Sequence, residues 1–145
     1  MREATKITVN DGGEKLTFAI KPMSALKAEK WLYKAICVLG LPALSEVQEL
    51  TAEGVIRALT AKPLDFDKAE PLLDDLLACC SRLTDGGVEI AVTPETVDGQ
   101  IQYPTTLFLL RVAALKASFG FFANGGWQNF LAQLSGVKSA PASKA

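Results

Sequence analysis

Residues 5–22, TKITVNDGGEKLTFAIKP, decide the fold class. Ile7 and Val9 point one way, with Lys6 and Thr8 opposite. Leu16, Phe18 and Ile20 repeat that period of two after the NDGGE turn. Successive side chains alternate across a strand, so two such runs joined by a Gly-containing turn predict a β-hairpin. Pro22 offers no N–H to a ladder and closes the second strand. Most of the remaining chain repeats with a helical period. The expected fold is therefore α+β: a small antiparallel sheet packed against four to five mostly amphipathic helices. Val88, Ile90 and Val92 alternate as well, which makes residues 88–92 a candidate third strand.

Downstream of the hairpin, Ser24 is placed to cap a helix. Ala25, Ala28, Leu32, Ala35, Ile36 and Leu39 form its apolar stripe, and Gly40 and Pro42 mark its stop. A second helix is expected over residues 45–60, with Val47, Leu50, Val55 and Leu59 inward, although Gly54 costs about 1 kcal/mol against Ala in a helix interior. After AKPLDF, with Asp65 or Asp67 as cap, Phe66, Ala69, Leu73, Leu76, Leu77, Cys80 and Leu83 predict a third helix with Asp67, Asp74 and Asp75 outward. Asp85-Gly86-Gly87 reads as a turn, and Pro94 with Asp98-Gly99 as a loop. The most apolar helix starts at Thr105 or Thr106. Leu107, Leu109, Leu110, Val112, Ala113, Ala114, Leu115 and Ala117 surround nearly its whole circumference, so it is central to a core or shared with a partner. Residues 1–135 are expected to form one globular domain. Residues 136–145 form a small, polar, Pro-containing tail expected to be disordered.

The chain has 145 residues, enough for one domain with a real core. Fifteen basic residues balance 16 acidic ones, so no global field pulls it toward nucleic acid. The N-terminus lacks an apolar signal core, and no apolar run of about 18 residues suits a membrane span. Neither a nucleic-acid nor a membrane partner is expected. Cys37, Cys79 and Cys80 form no CxxC or Cys/His grid and are expected as buried, reduced thiols, which suits a reducing cytoplasm.

The chain contains no His, which removes His-based triads, His metal ligands and His acid–base catalysis. The stretches NDGGEK, DGGVE and GFFANGGW do not open a helix as a phosphate cradle must, or lack the Lys-Ser/Thr of a P-loop. Asp74 and Asp75 are adjacent and point about 100° apart on a helix, so they read as a solvated face. No catalytic residue, cofactor or metal site is expected.

Two stretches read as binding surface. Lys27, Lys30, Trp31 and Lys34 cluster on the side of the first helix away from Leu32 and Ile36. They read either as a solvated basic face with Trp31 half packed, or as a docking site for an acidic or amphipathic helix. In RVAALKASFGFFANGGWQNFLAQL, residues 111–134, a stripe from Phe108 through Val112, Leu115, Phe119 and Phe122 is helical. Its first part, Phe108 to Leu115, is expected in the core. Phe121, Phe122, Trp127 and Phe130 lie around glycine breaks; they cap the core or form an apolar contact patch with Phe119.

The order of these pieces resembles the tail assembly chaperones of long-tailed bacteriophages and prophages. The residues that carry the likeness are LTFAIKPMSALKAEKWLYKAICVLG, the acidic Leu-rich PLLDDLLACCSRL, then VTPETVDGQ, then VAALKASFGFFANGG. The resemblance implies a non-enzymatic protein of the infected bacterium's cytoplasm, absent from the mature virion. It would bind and solubilise the tape measure protein and help recruit tail tube protein. A longer product made by ribosomal frameshifting near the C-terminus is also a family habit. A homo-oligomer sharing apolar faces fits such a holdase. The rival reading is a structural tail-completion or head–tail connector protein that stays in the virion; a small enzyme is a third.

Overall fold

The computed structural model describes residues 3–40, 51–60 and 65–120. The hairpin forms as its alternation requires. β1 (Thr5–Asp11) and β2 (Glu14–Ile20) pair antiparallel from Thr5↔Ile20 to Asp11↔Glu14. Gly12 and Gly13 make the two-residue turn with φ of 67° and 94°. Two positive φ values define a type I′ turn, whose twist matches that of the strands it joins. The Asn10 side chain braces it by accepting from Gly13 N–H at 2.7 Å.

α1 (Ala25–Leu39) follows, and Ser24 Oγ caps it by accepting from Lys27 N–H at 3.3 Å. It stops where Gly40 turns to φ 85° and donates back to the Ile36 carbonyl. α2 (Ala52–Thr60) is shorter than the helix expected from residue 45; Thr51 Oγ1 accepts from Gly54 N–H at 3.0 Å near its start. Residues 45–50 of that expectation lie outside the described residues. α3 (Phe66–Leu77) is capped by Asp65, which accepts from Asp67 N–H at 3.0 Å.

The helix expected to continue through Leu83 ends at Leu77. Cys80–Leu83 instead forms β3, paired antiparallel with β2 from Thr17↔Leu83 to Ile20↔Cys80. Helical spacing and strand alternation both place Cys80 inward. The open edge of β2 decides between them by offering ladder hydrogen bonds, and Lys21 N–H extends that ladder to the Cys79 carbonyl at 2.8 Å. β4 (Glu89–Ala91) completes the sheet through the Asp85-Gly86-Gly87 turn. The sheet therefore has four antiparallel strands in the order β1-β2-β3-β4, and the fold is α+β.

After a short 3₁₀ turn at Val97–Gly99, α4 (Pro104–Phe119) begins with Pro at its first position, where a missing N–H costs nothing. α4 packs on β1, β2, α2 and α3 and is the central helix. Its buried residues are Thr106, Leu110, Ala114, Leu115, Ser118 and Phe119. The inward stripe is thus rotated from the one expected: Phe108 and Val112 are half-buried, and Leu110 and Ala114 take the centre. One core unites Leu16, Phe18 and Ile20 of the hairpin with Trp31, Leu72, Leu76, Leu110 and Phe119. No helix among the described residues is long and apolar enough to cross a membrane. The tail at residues 136–145 lies outside the described residues.

Candidate functional site

α1 carries the residues that bear on binding. Lys27, Lys30 and Lys34 are exposed, and their spacing of 3 and 4 aligns them as one ridge. At 100° per residue Trp31 lies on one flank of this ridge and Leu26 on the other. The ridge borders a groove of about 320 Å³ lined by Ser24, Leu26, Lys27, Lys30, Trp31, Lys34 and, across from α1, Asp75 of α3. All four α1 residues expected as a contact face therefore meet at one groove.

Their roles differ from that expectation in one respect. Trp31 was expected half packed or docking; it is buried, at 7% exposure. Its indole Nε1–H donates to the Leu72 carbonyl at 3.0 Å, and its ring stacks tilted on Phe119 with centroids 5.3 Å apart. A buried indole needs an acceptor, and α3 supplies one. Trp31 thus joins α1, α3 and α4 and forms the groove's inner wall. Phe119, expected as contact surface, is buried at 3% exposure on the other side of that stack. Phe121, Phe122, Trp127 and Phe130 lie outside the described residues.

Among the described residues the three lysines make no ion pair, no carboxylate coming within 4.0 Å of their ammonium groups. The apolar rim belongs to the same helix: Leu26 is 61% exposed and Tyr33 57%. The Tyr33 hydroxyl donates to Glu29 Oε2 at 3.0 Å, which raises the phenol's pKa and holds the ring along the helix. Asp75, read from sequence as solvated, is half-buried and gives the far wall one negative charge. Its place in the groove follows from the packing of α1 on α3, which no local pattern announces.

The thiols flank this region. Cys79 and Cys80 are buried as expected, but Cys37 is exposed on α1, which corrects the reading of all three as buried. Burial pushes the Cys79 thiol up, partly offset by the Lys27 charge and a Ser118 hydrogen bond. Burial, with Cys79 alongside, pushes Cys80 up to about 12.

A second polar cluster was not foreseen. Asp11, in the hairpin turn, is 1% exposed. Its carboxylate accepts from Gln102 N–H at 2.8 Å, Tyr103 N–H at 3.1 Å and Thr106 Oγ1 at 2.8 Å. It thereby satisfies donors at the start of α4, where the helix dipole also favours negative charge. Burial alone would raise its pKa; the three hydrogen bonds and the Arg82 charge outweigh that and lower it. The Tyr103 ring lies so close to Gly12 that any Cβ there would collide with it. The only early signal was an Asp beside the turn glycines. This cluster is fully engaged in holding the fold.

Among the described residues no three His, Cys, Asp or Glu side chains gather to hold a metal ion. What the α1 groove offers is cationic and apolar contact. Compared with protein-family models, curated proteins and solved structures, the chain matches none.

Proposed function

We propose that this protein is a tail assembly chaperone that binds a tape measure protein in the bacterial cytoplasm and keeps it soluble during tail morphogenesis. The observation that carries the reading is the groove on α1, where three exposed lysines, without an ion pair among the described residues, border a Trp31 wall and an exposed apolar rim. Such a surface combines non-directional apolar grip with charge that steers encounter, the two things a holdase for a long helical client requires. The order of hairpin, acidic Leu-rich segment and apolar helix adds the family resemblance. In this reading the protein does no chemistry, recruits tail tube protein, and leaves before the virion is complete.

Co-expression with the tape measure protein of the same phage tests it. The soluble fraction of that protein should rise with the chain present and fall back when Lys27, Lys30 and Lys34 are changed to Glu. Equal solubility with and without the chain ends the reading. Stoichiometric recovery of the chain in purified particles would instead establish the structural-component alternative.

A further inference from the structure

We propose that the α1 groove takes an acidic amphipathic helix in a fixed register, with carboxylates spaced i, i+3 or i+4, and i+7 laid along the lysine ridge. The inference rests on the reading of this groove as the client-contact surface and names the chemistry that surface selects. Lys27 and Lys34 are seven residues apart, about 10 Å along the axis, with Lys30 between them. A helix lying alongside α1 at the usual separation of about 8–10 Å repeats its side chains with the same period, so three of its carboxylates meet three ammonium groups at once. An extended or disordered acidic segment does not reproduce that spacing.

Charge complementarity selects the sign of the occupant: three exposed lysines face a single carboxylate, Asp75, across the groove, and among the described residues none of the three makes an ion pair. The groove walls set its orientation. Leu26 stands exposed on one flank, and the groove beside Trp31 has room for a Leu- or Met-sized side chain on the other. Asp75 faces the ridge from α3 and repels a carboxylate placed over the α1–α3 seam. The occupant's acidic residues therefore sit over α1 and its apolar residues toward the seam. A helix with the same composition but its acids rotated by two positions meets Asp75 with a carboxylate and the lysines with leucine. Specificity comes as much from that clash as from the attraction.

The probe is a fluorescein-labelled synthetic helix of about three heptads, with Glu at i, i+3 and i+7 beside Leu, titrated with the full chain and followed by anisotropy. Binding should weaken about tenfold or more between about 50 and 300 mM salt. A scrambled peptide of equal charge should bind at least about tenfold more weakly, and the triple change Lys27→Glu, Lys30→Glu, Lys34→Glu should abolish binding while leaving the circular dichroism spectrum unchanged. Should that variant fail to fold, the wild-type chain with a peptide carrying Lys for Glu makes the same test, and that peptide should not bind. Equal affinity for patterned and scrambled peptides overturns the register, and tighter binding of a single-stranded oligonucleotide than of the acidic helix overturns the choice of partner. The two readings fail separately. If the triple variant still solubilises the tape measure protein, this inference is wrong and the chaperone role stands. If the patterned helix binds but the tape measure protein gains no solubility, the reverse holds.

Discussion

The two ends of α4 are held by opposite kinds of physics. At its N-terminus, a single buried carboxylate reaches across from the hairpin turn and gathers three donors. At its C-terminus, Phe119 stacks on Trp31, and Ser118 accepts from the Met23 N–H that precedes α1. The first anchor is polar and carries a charge; the second is mostly packing. The difference teaches where each perturbation will be felt: acid loosens the first, and loss of side-chain volume loosens the second.

Removing Trp31 should have the largest effect. Trp31→Ala deletes a buried ring shared by three helices and leaves the Leu72 carbonyl without its donor, a loss of about 4 kcal/mol. Much of the stability of an ordinary domain goes with it, so the variant should unfold at far lower urea concentration. Because no titrating group is involved, the loss should be the same at pH 7 and pH 4. A loss that shrank with acid would mean that the two ends are not independent.

Asp11→Asn comes next. It keeps the shape but removes the charge and one acceptor, costing about 2 kcal/mol at neutral pH. The sign of its pH dependence follows from the lowered pKa. Stability from a depressed carboxylate is complete above its ordinary value of 3.8 and is lost as pH falls through the still lower folded value. Wild-type and variant stabilities should therefore converge in that acid range. Urea midpoints measured from pH 7 down to pH 2 check this, and parallel curves would remove the electrostatic account of this anchor.

These anchors also mark where the sequence was legible. The hairpin could be read because period two, two adjacent glycines and a closing proline all agree. The centrality of α4 could be read from its all-round apolar surface. The end of α3 could not, because Leu76, Leu77, Cys80 and Leu83 satisfy helical spacing, and the partner that makes Cys80–Leu83 a strand lies about sixty residues earlier in β2. The burial of Trp31 is hidden in the sequence for a similar reason. Its three lysine neighbours made the face look solvated, while the acceptor that lets the indole go inside belongs to Leu72. The lysine ridge itself was visible as spacing, but Asp75 and the groove needed the α1–α3 packing.

Ser118→Ala should cost less, about 1 kcal/mol, since it removes one acceptor used by Met23 N–H without opening a large cavity. Like Trp31→Ala, its effect should not vary between pH 7 and pH 4, because the bonds lost, to Met23 N–H and to the Cys79 thiol, involve no group that changes charge in that range. Thermal melts at the two pH values separate this from an indirect disturbance of Asp11, which would flatten toward acid.

The smallest effect is a rate of local opening, and the cysteines report it. The thiolate is the species that reacts, so burial and a raised pKa protect Cys79 and Cys80 while Cys37 stands exposed. In the native chain at pH 8, alkylation should consume Cys37 quickly and the other two slowly, with all three reacting alike in denaturant. Cys79 shares a hydrogen bond with Ser118 at the C-terminal anchor, and its Sγ also contacts the Asp75 carbonyl at 3.6 Å. Weakening that anchor by Ser118→Ala should therefore raise the Cys79 rate several-fold, an opening cost lowered by about 1 kcal/mol. Asp11→Asn acts at the far end of the helix and should leave the Cys79 rate within about twofold of wild type if the two ends open separately. Peptide mapping of the alkylated sites decides between that and a single cooperative unit, in which both substitutions would speed Cys79 and Cys80 together, each in proportion to the global stability it removes.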